Sequence, residues 1–256
     1  MNKLDQLFST KNENILNIFC TAGYPHIDST SEVILSLQKH GADIIEVGMP
    51  YSDPIADGPV IQQSNMTALQ NGMTMELLFE HLKAVRGKVN IPLILMGYLN
   101  PVLQFGMEEF CAAANAAGVS GIILPDLPMF EFENFYKPLF RKYGLHFIFL
   151  ITPQTSNDRI KKADKLSDGF LYAVSSSSTT GNKANSFAQE KYFKKLASLK
   201  LKNPLLIGFG INDHNSFSNA CRYAKGAIIG SAYIKKLENS HDIDKDTADF
   251  IKAIRQ

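Results

Sequence analysis

Asp43-Ile44-Ile45-Glu46-Val47-Gly48-Met49-Pro50-Tyr51-Ser52-Asp53-Pro54-Ile55-Ala56-Asp57-Gly58-Pro59 sets a short apolar run against a polar, proline-stiffened loop. The run Asp43 to Val47 reads as a buried strand, with Glu46 near its C-terminal end. Asp57 follows in the next loop, so two carboxylates could face one pocket, which is an acid–base site in outline. Pro50, Pro54 and Pro59 restrict φ along the loop between them. A segment built only to be flexible would not carry three prolines in so short a span.

Outward from this stretch, β-rich runs alternate with helical patterns along the whole chain. The other strands read as 15–21, 92–97, 121–124, 146–150, 169–174, 204–208 and 226–229, making eight with the strand 43–47. Helical periodicity fills the intervals at 29–40, 60–70, 74–88, 107–117, 132–143, 157–166, 189–199 and 215–223, and resumes after 229. The strands lack internal polar alternation, which indicates burial on both faces and hence a parallel sheet covered by helices. Eight βα units in 256 residues match the count and length of an α/β (β/α)8 TIM barrel, preceded here by an additional amphipathic N-terminal helix at 1–8. An open doubly wound sheet is the competing arrangement, since alternation alone fits both. No composition shift or long linker divides the chain, which reads as one domain over 1–256.

Composition excludes several other classes. With 26 basic and 25 acidic residues the net charge is +1, so no general affinity for nucleic acid is expected. No run approaches the roughly 18 apolar residues of a membrane span, and none resembles a signal peptide; the expected location is the cytoplasm. Cys20, Cys111 and Cys221 are few, distant and odd in number, which argues against a disulfide framework. The six histidines show no zinc-ligand spacing, so no metal site is expected.

In a barrel, function belongs at the C-terminal ends of the strands and in the loops that follow. Glu46 and Asp57 satisfy that placement. The loop Ser175-Ser-Ser-Ser-Thr-Thr-Gly-Asn-Lys-Ala-Asn-Ser186 is long, polar and built of small residues, and is a candidate lid; a tolerated serine-rich insertion is the plainer reading. Gly208-Phe-Gly210-Ile211 ends the seventh strand and Gly230-Ser231 opens the helix after the eighth. Such turns let backbone N–H groups approach an anion, and barrels often bind phosphate at these two units.

Taken together, these motifs carry a resemblance. The stretch from Glu46 to Gln62 closely resembles the signature of the tryptophan synthase α subunit family. Phe19-Cys-Thr-Ala-Gly-Tyr-Pro25, Met96-Gly-Tyr-Leu-Asn-Pro101, Leu124-Pro-Asp-Leu-Pro128, Gly208-Phe-Gly-Ile211 and Gly230-Ser231 follow in family order. The resemblance implies retro-aldol cleavage of indole-3-glycerol phosphate to indole and glyceraldehyde 3-phosphate. It implies Glu46 as the acid at indole C3, serving in turn as base on the glycerol hydroxyl, and Asp57 as the ionised partner of the indole N–H. Tyr172 matches a further position lining the site. Phe19, Thr21, Tyr98 and Leu124 match positions around the indole pocket, and Thr180 matches a lid threonine. Gly181, Gly210, Gly230 and Ser231 match phosphate-binding positions.

One departure stands out. The family lid usually reads close to Ser-Arg-x-Gly-Val-Thr-Gly, whereas this chain has Ser175-Ser-Ser-Ser-Thr-Thr-Gly181; the usual Arg is Ser176 and the usual first Gly is Ser178. Lid behaviour and coupling to a partner are therefore where this chain would differ. The resemblance also implies that partner, a tryptophan synthase β subunit in an α2β2 complex. The β subunit would hold pyridoxal phosphate, and this chain would need no cofactor of its own. Pro50, Asp53, Asn100, Pro101, Asp126 and Pro128 would lie in loops facing it. The alternatives are a stand-alone indole-glycerol-phosphate lyase and a non-catalytic regulatory subunit of the β enzyme.

Overall fold

The computed structural model describes residues 1–175, 183–208 and 210–256, with the backbone alone described at 183–189. Nine parallel strands run in chain order as β1 (Ile15–Thr21), β2 (Ile44–Gly48), β3 (Leu93–Met96), β4 (Gly121–Ile123), β5 (His146–Phe147), β6 (Leu150–Ile151), β7 (Leu171–Val174), β8 (Leu205–Gly208) and β9 (Gly226–Ile229). Their order across the sheet is β5-β4-β3-β2-β1-β9-β8-β7-β6.

The two outer strands of that order belong to one continuous stretch of chain. β5 pairs with β4, and Ile148 still donates its N–H to Ile122 O at 3.0 Å. From there the ladder changes sides: Tyr172 N–H donates to Phe149 O at 3.1 Å, and β6 pairs with β7. The segment 146–151 thus closes the sheet on itself as a TIM barrel. The expected fifth strand, 146–150, is the one that splits. Strands in a closed barrel are tilted and staggered, so the first half of this short strand reaches one neighbour and its second half the other. Phe147 stacks on Phe132 with ring centroids 4.3 Å apart, and Phe140 and Phe149 complete the aromatic cluster behind the crossing.

Register identifies the inner face. Phe19 pairs with Glu46, Glu46 with Ile94, and Asn17 with Ile228. Parallel neighbours in register share a face and side chains alternate along each strand, so Asn17, Phe19, Glu46, Met96, Tyr172, Gly208 and Ile228 all point inward. The intervening residues, such as Ile18, Ile45, Val47 and Leu95, are fully buried against the helices outside. This burial on both faces is why the strands read as unbroken apolar runs.

The N-terminal helix, Lys3–Thr10, covers the lower end of the barrel. Asn2 caps it by accepting from Leu4 N–H, and its amide donates to Ser120 O (2.8 Å) and Gly144 O (3.0 Å). Leu4 is fully buried beside Gly121 and Gly169, and Asp5 meets His146 Nε2 at 2.8 Å. One connection differs from its sequence reading. Asn100 and Pro101, expected in a loop, lie in the first turn of a helix Leu99–Phe105, where proline is tolerated because the N–H it lacks would have no helical acceptor.

Candidate active site

At the C-terminal ends of the strands a cavity of about 700 Å³ opens, lined by residues that include Phe19, Glu46, Asp57, Tyr172, Gly210, Gly230 and Ser231. Seven of the residues singled out in the sequence therefore meet in one space. Thr21 and Leu124 are buried but do not line it. Thr21 turns to Ser64 Oγ (2.7 Å) on the helix Pro59–Gln70, and Leu124 sits in the hydrophobic core. Tyr98 stands behind Asp57. Thr180 and Gly181 lie outside the described residues.

Glu46 is 1% exposed, and its carboxyl accepts one hydrogen bond, from Asn17 Nδ2 to Oε2 at 3.0 Å. Oε1 has no partner. Burial pushes this acid up to about 8; the Asn17 bond opposes the shift and the nearby Asp57 charge adds to it. Losing hydration destabilises a carboxylate unless a cation or several donors replace the water, and a single amide does not. Glu46 is therefore largely protonated at neutral pH, the state a proton donor needs.

Asp57 is held by its own loop. Its N–H donates to Pro54 O (3.0 Å), and Gln62 Nε2 donates to its carbonyl (2.9 Å). The Tyr98 hydroxyl donates to Asp57 Oδ2 at 2.8 Å. Burial raises the Asp57 pKa and the Tyr98 bond pulls it back. Tyr172 remains a phenol, because burial and then the charges of Glu46 and Asp57 push its pKa well up. Its ring packs over Gly208, where a Cβ would run into both ring and hydroxyl. Phe19 lies likewise over Gly48, whose Cβ would come 2.5 Å from the ring. Both strand-end glycines make room for a side chain of the site.

The opposite wall of the cavity is built from Gly210, Ile211, Asn212, Gly230, Ser231 and Lys235. Gly210 adopts φ +75°, a left-handed conformation that favours glycine. Lys235 is the one cation among the described lining residues. It sits one helical turn beyond Ser231 in the helix Ser231–Leu237, and sequence reasoning missed it although the spacing of four places both on one face. Asn17 was also missed, yet a lone amide in the apolar strand Ile15–Thr21, two residues before Phe19, was visible. Among the described residues no group of three or more His, Cys, Asp or Glu could hold a metal ion, and no helix is long and apolar enough to cross a membrane.

A closed (β/α)8 barrel with carboxylates opening at its strand ends defines a TIM-barrel enzyme of acid–base type. Comparison with known proteins narrows the class. Residues 6–256 match the model of the family described as tryptophan synthase alpha chain. The alpha chain of Christiangramia forsetii is 48% identical over 257 residues, covering 100% of this chain and 99% of the relative. That of Flavobacterium psychrophilum is 51% identical over 238 residues, covering 93% and 94%. Among solved structures, the Legionella pneumophila alpha chain superposes with a TM-score of 0.90 at 30% identity, covering 100% and 97%. Tryptophan synthase from M. tuberculosis in its aminoacrylate-bound form gives a TM-score of 0.87 at 27% identity, covering 99% and 98%. The chain belongs to the tryptophan synthase alpha chain family. It is a lyase of tryptophan biosynthesis, with indole-3-glycerol phosphate as substrate and the β subunit as partner.

Proposed function

We propose that Glu46 and Asp57 carry out the cleavage in the cavity described above, with Glu46 moving the protons and Asp57 holding the indole N–H. The observation that carries this reading is the contrast between the two acids. Glu46 is desolvated with no cation beside it among the described residues and is pushed up to about 8, whereas the rise that burial gives Asp57 is opposed by a phenolic hydrogen bond that favours its ionised form.

Protonation of indole C3 by Glu46 gives a cationic ring that the Asp57 carboxylate stabilises through the N–H. Glu46, now ionised, accepts the proton of the hydroxyl on the adjacent glycerol carbon. The oxygen forms the aldehyde carbonyl, the carbon–carbon bond breaks, and its electron pair restores the aromatic ring. Indole and glyceraldehyde 3-phosphate result, and Glu46 ends with its proton back. Proton transfers of this kind contribute roughly 10²–10⁴-fold.

Tyr172 and Phe19 would line the indole side. Gly210, Gly230 and Ser231 would take the phosphate with backbone N–H groups, and Lys235 would offset its charge; from the sequence, Thr180 and Gly181 would close over it. Pyridoxal phosphate belongs to the β chain in this family, and this reading gives the present chain no cofactor of its own. An α2β2 assembly in the cytoplasm completes it. The relatives described above are alpha chains, which does not favour a stand-alone lyase or a silent regulatory subunit. Replacement Glu46→Gln tests the role: cleavage should be lost while binding of the substrate phosphate persists, and wild-type turnover in that variant would refute it.

A further inference from the structure

Asn17 is fully buried on the inner face of β1, in register with Ile44 on one side and Ile228 on the other. Its Nδ2 donates to Glu46 Oε2 at 3.0 Å, while its Oδ1 has no partner among the described residues. An unpaired buried amide oxygen is destabilising, and an aliphatic side chain between two isoleucines would avoid that cost. Stability alone does not account for an amide here.

We propose that Asn17 is a positioning residue for Glu46: its amide holds Oε2 and leaves Oε1 as the oxygen that carries and delivers the proton. The inference rests on the catalytic role given to Glu46 above. A hydrogen bond donated to one carboxyl oxygen lowers that oxygen's basicity, so the proton resides on the other. The same bond fixes the rotation of the carboxyl, which a general acid needs to keep its proton within reach of the accepting carbon. The other titratable groups acting on Glu46 are Asp57 from the loop after β2, Tyr172 from β7 and Cys20 from β1. None of them is a cation. Among the described residues Asn17 gives the carboxyl its hydrogen bond, and it also moderates the acid when Glu46 is transiently ionised as base.

The test is cleavage of indole-3-glycerol phosphate by the full chain with its β subunit, followed against pH, for wild type, Asn17→Leu and Asn17→Val. Both replacements are aliphatic, so neither can donate to Glu46. Asn17→Leu should lower kcat about tenfold or more, leave KM within about twofold, and move the alkaline limb of the pH profile upward by up to about one unit. Its Tm should stay close to that of wild type, because the orphaned amide oxygen is gone while Glu46 Oε2 loses its donor. Asn17→Val should shift the alkaline limb in the same direction and carries the test should the leucine variant fail to fold. An unchanged kcat and profile, or a kcat loss that accompanies a fall in Tm with no movement of the alkaline limb, would overturn the proposal. Failure of the wild-type complex to cleave the substrate would instead overturn the reading on which it rests.

Discussion

The Tyr98 hydroxyl joins two parts of one loop, donating to Asp57 Oδ2 at 2.8 Å and accepting the Ala56 N–H at 3.0 Å. Tyr98 stands just after β3 and Asp57 in the loop after β2, so the bond ties two neighbouring barrel units together at the acid's carboxylate. It sets the position of Asp57 and favours its ionised form.

Tyr98→Phe removes that donor and leaves Ala56 N–H without its acceptor. The acid limb of kcat/KM should move to higher pH, because Asp57 then ionises less readily. Cleavage should fall about tenfold near neutrality, with about 1–2 kcal/mol lost in urea unfolding. A pH profile identical to wild type would show that Tyr98 does not govern Asp57.

Glu46 makes a prediction about stability with a definite sign. Its folded value of about 8 lies above the ordinary 4.5. Between those limits the unfolded chain has released the proton and the folded chain has kept it. Stability from this group therefore declines as pH rises, and the decline ends above about pH 8. The Glu46→Gln side chain stays neutral throughout, so the variant should gain on wild type from about pH 5 to pH 8. At its steepest the gain should approach about 1.4 kcal/mol per pH unit. Asp57 contributes to both proteins and largely cancels. A stability difference independent of pH would contradict burial of Glu46 as its protonated form.

How far the sequence carried can be judged from particular residues. The alternation of strands and helices was legible because every strand is covered on both faces, so its residues are apolar whichever way they point. Glu46 was legible because a carboxylate at the end of such a strand has no packing reason to be there, and Asp57 because it follows in the proline-stiffened loop beyond it. Closure through 146–151 was not, since the change of partner between Ile148 and Phe149 is set by the stagger of the whole barrel and not by local composition. The helix at Leu99–Phe105 was hidden by Pro101, which reads as a breaker unless its place in the first turn is known. Asn17 needed the register to show that it faces Glu46. Tyr98 could be assigned to the site but not to Asp57, because the contact spans 41 residues of sequence.

Lys235 supplies positive charge to a cavity that also holds two carboxylates. Lys235→Ala should raise KM for indole-3-glycerol phosphate about three- to tenfold with little change in kcat, since it removes binding shared by ground and transition states. The wild-type KM should also rise with salt more steeply than the variant's, because the side chain is exposed and its field is screened. Equal KM values at low salt would remove Lys235 from the phosphate site.

The central claim is tested most directly by measuring indole release from indole-3-glycerol phosphate with the purified chain, alone and with a tryptophan synthase β subunit. The account predicts slow cleavage alone and a large rise on adding the partner, both abolished by Glu46→Gln. No indole release under either condition, or release that survives Glu46→Gln, would contradict it.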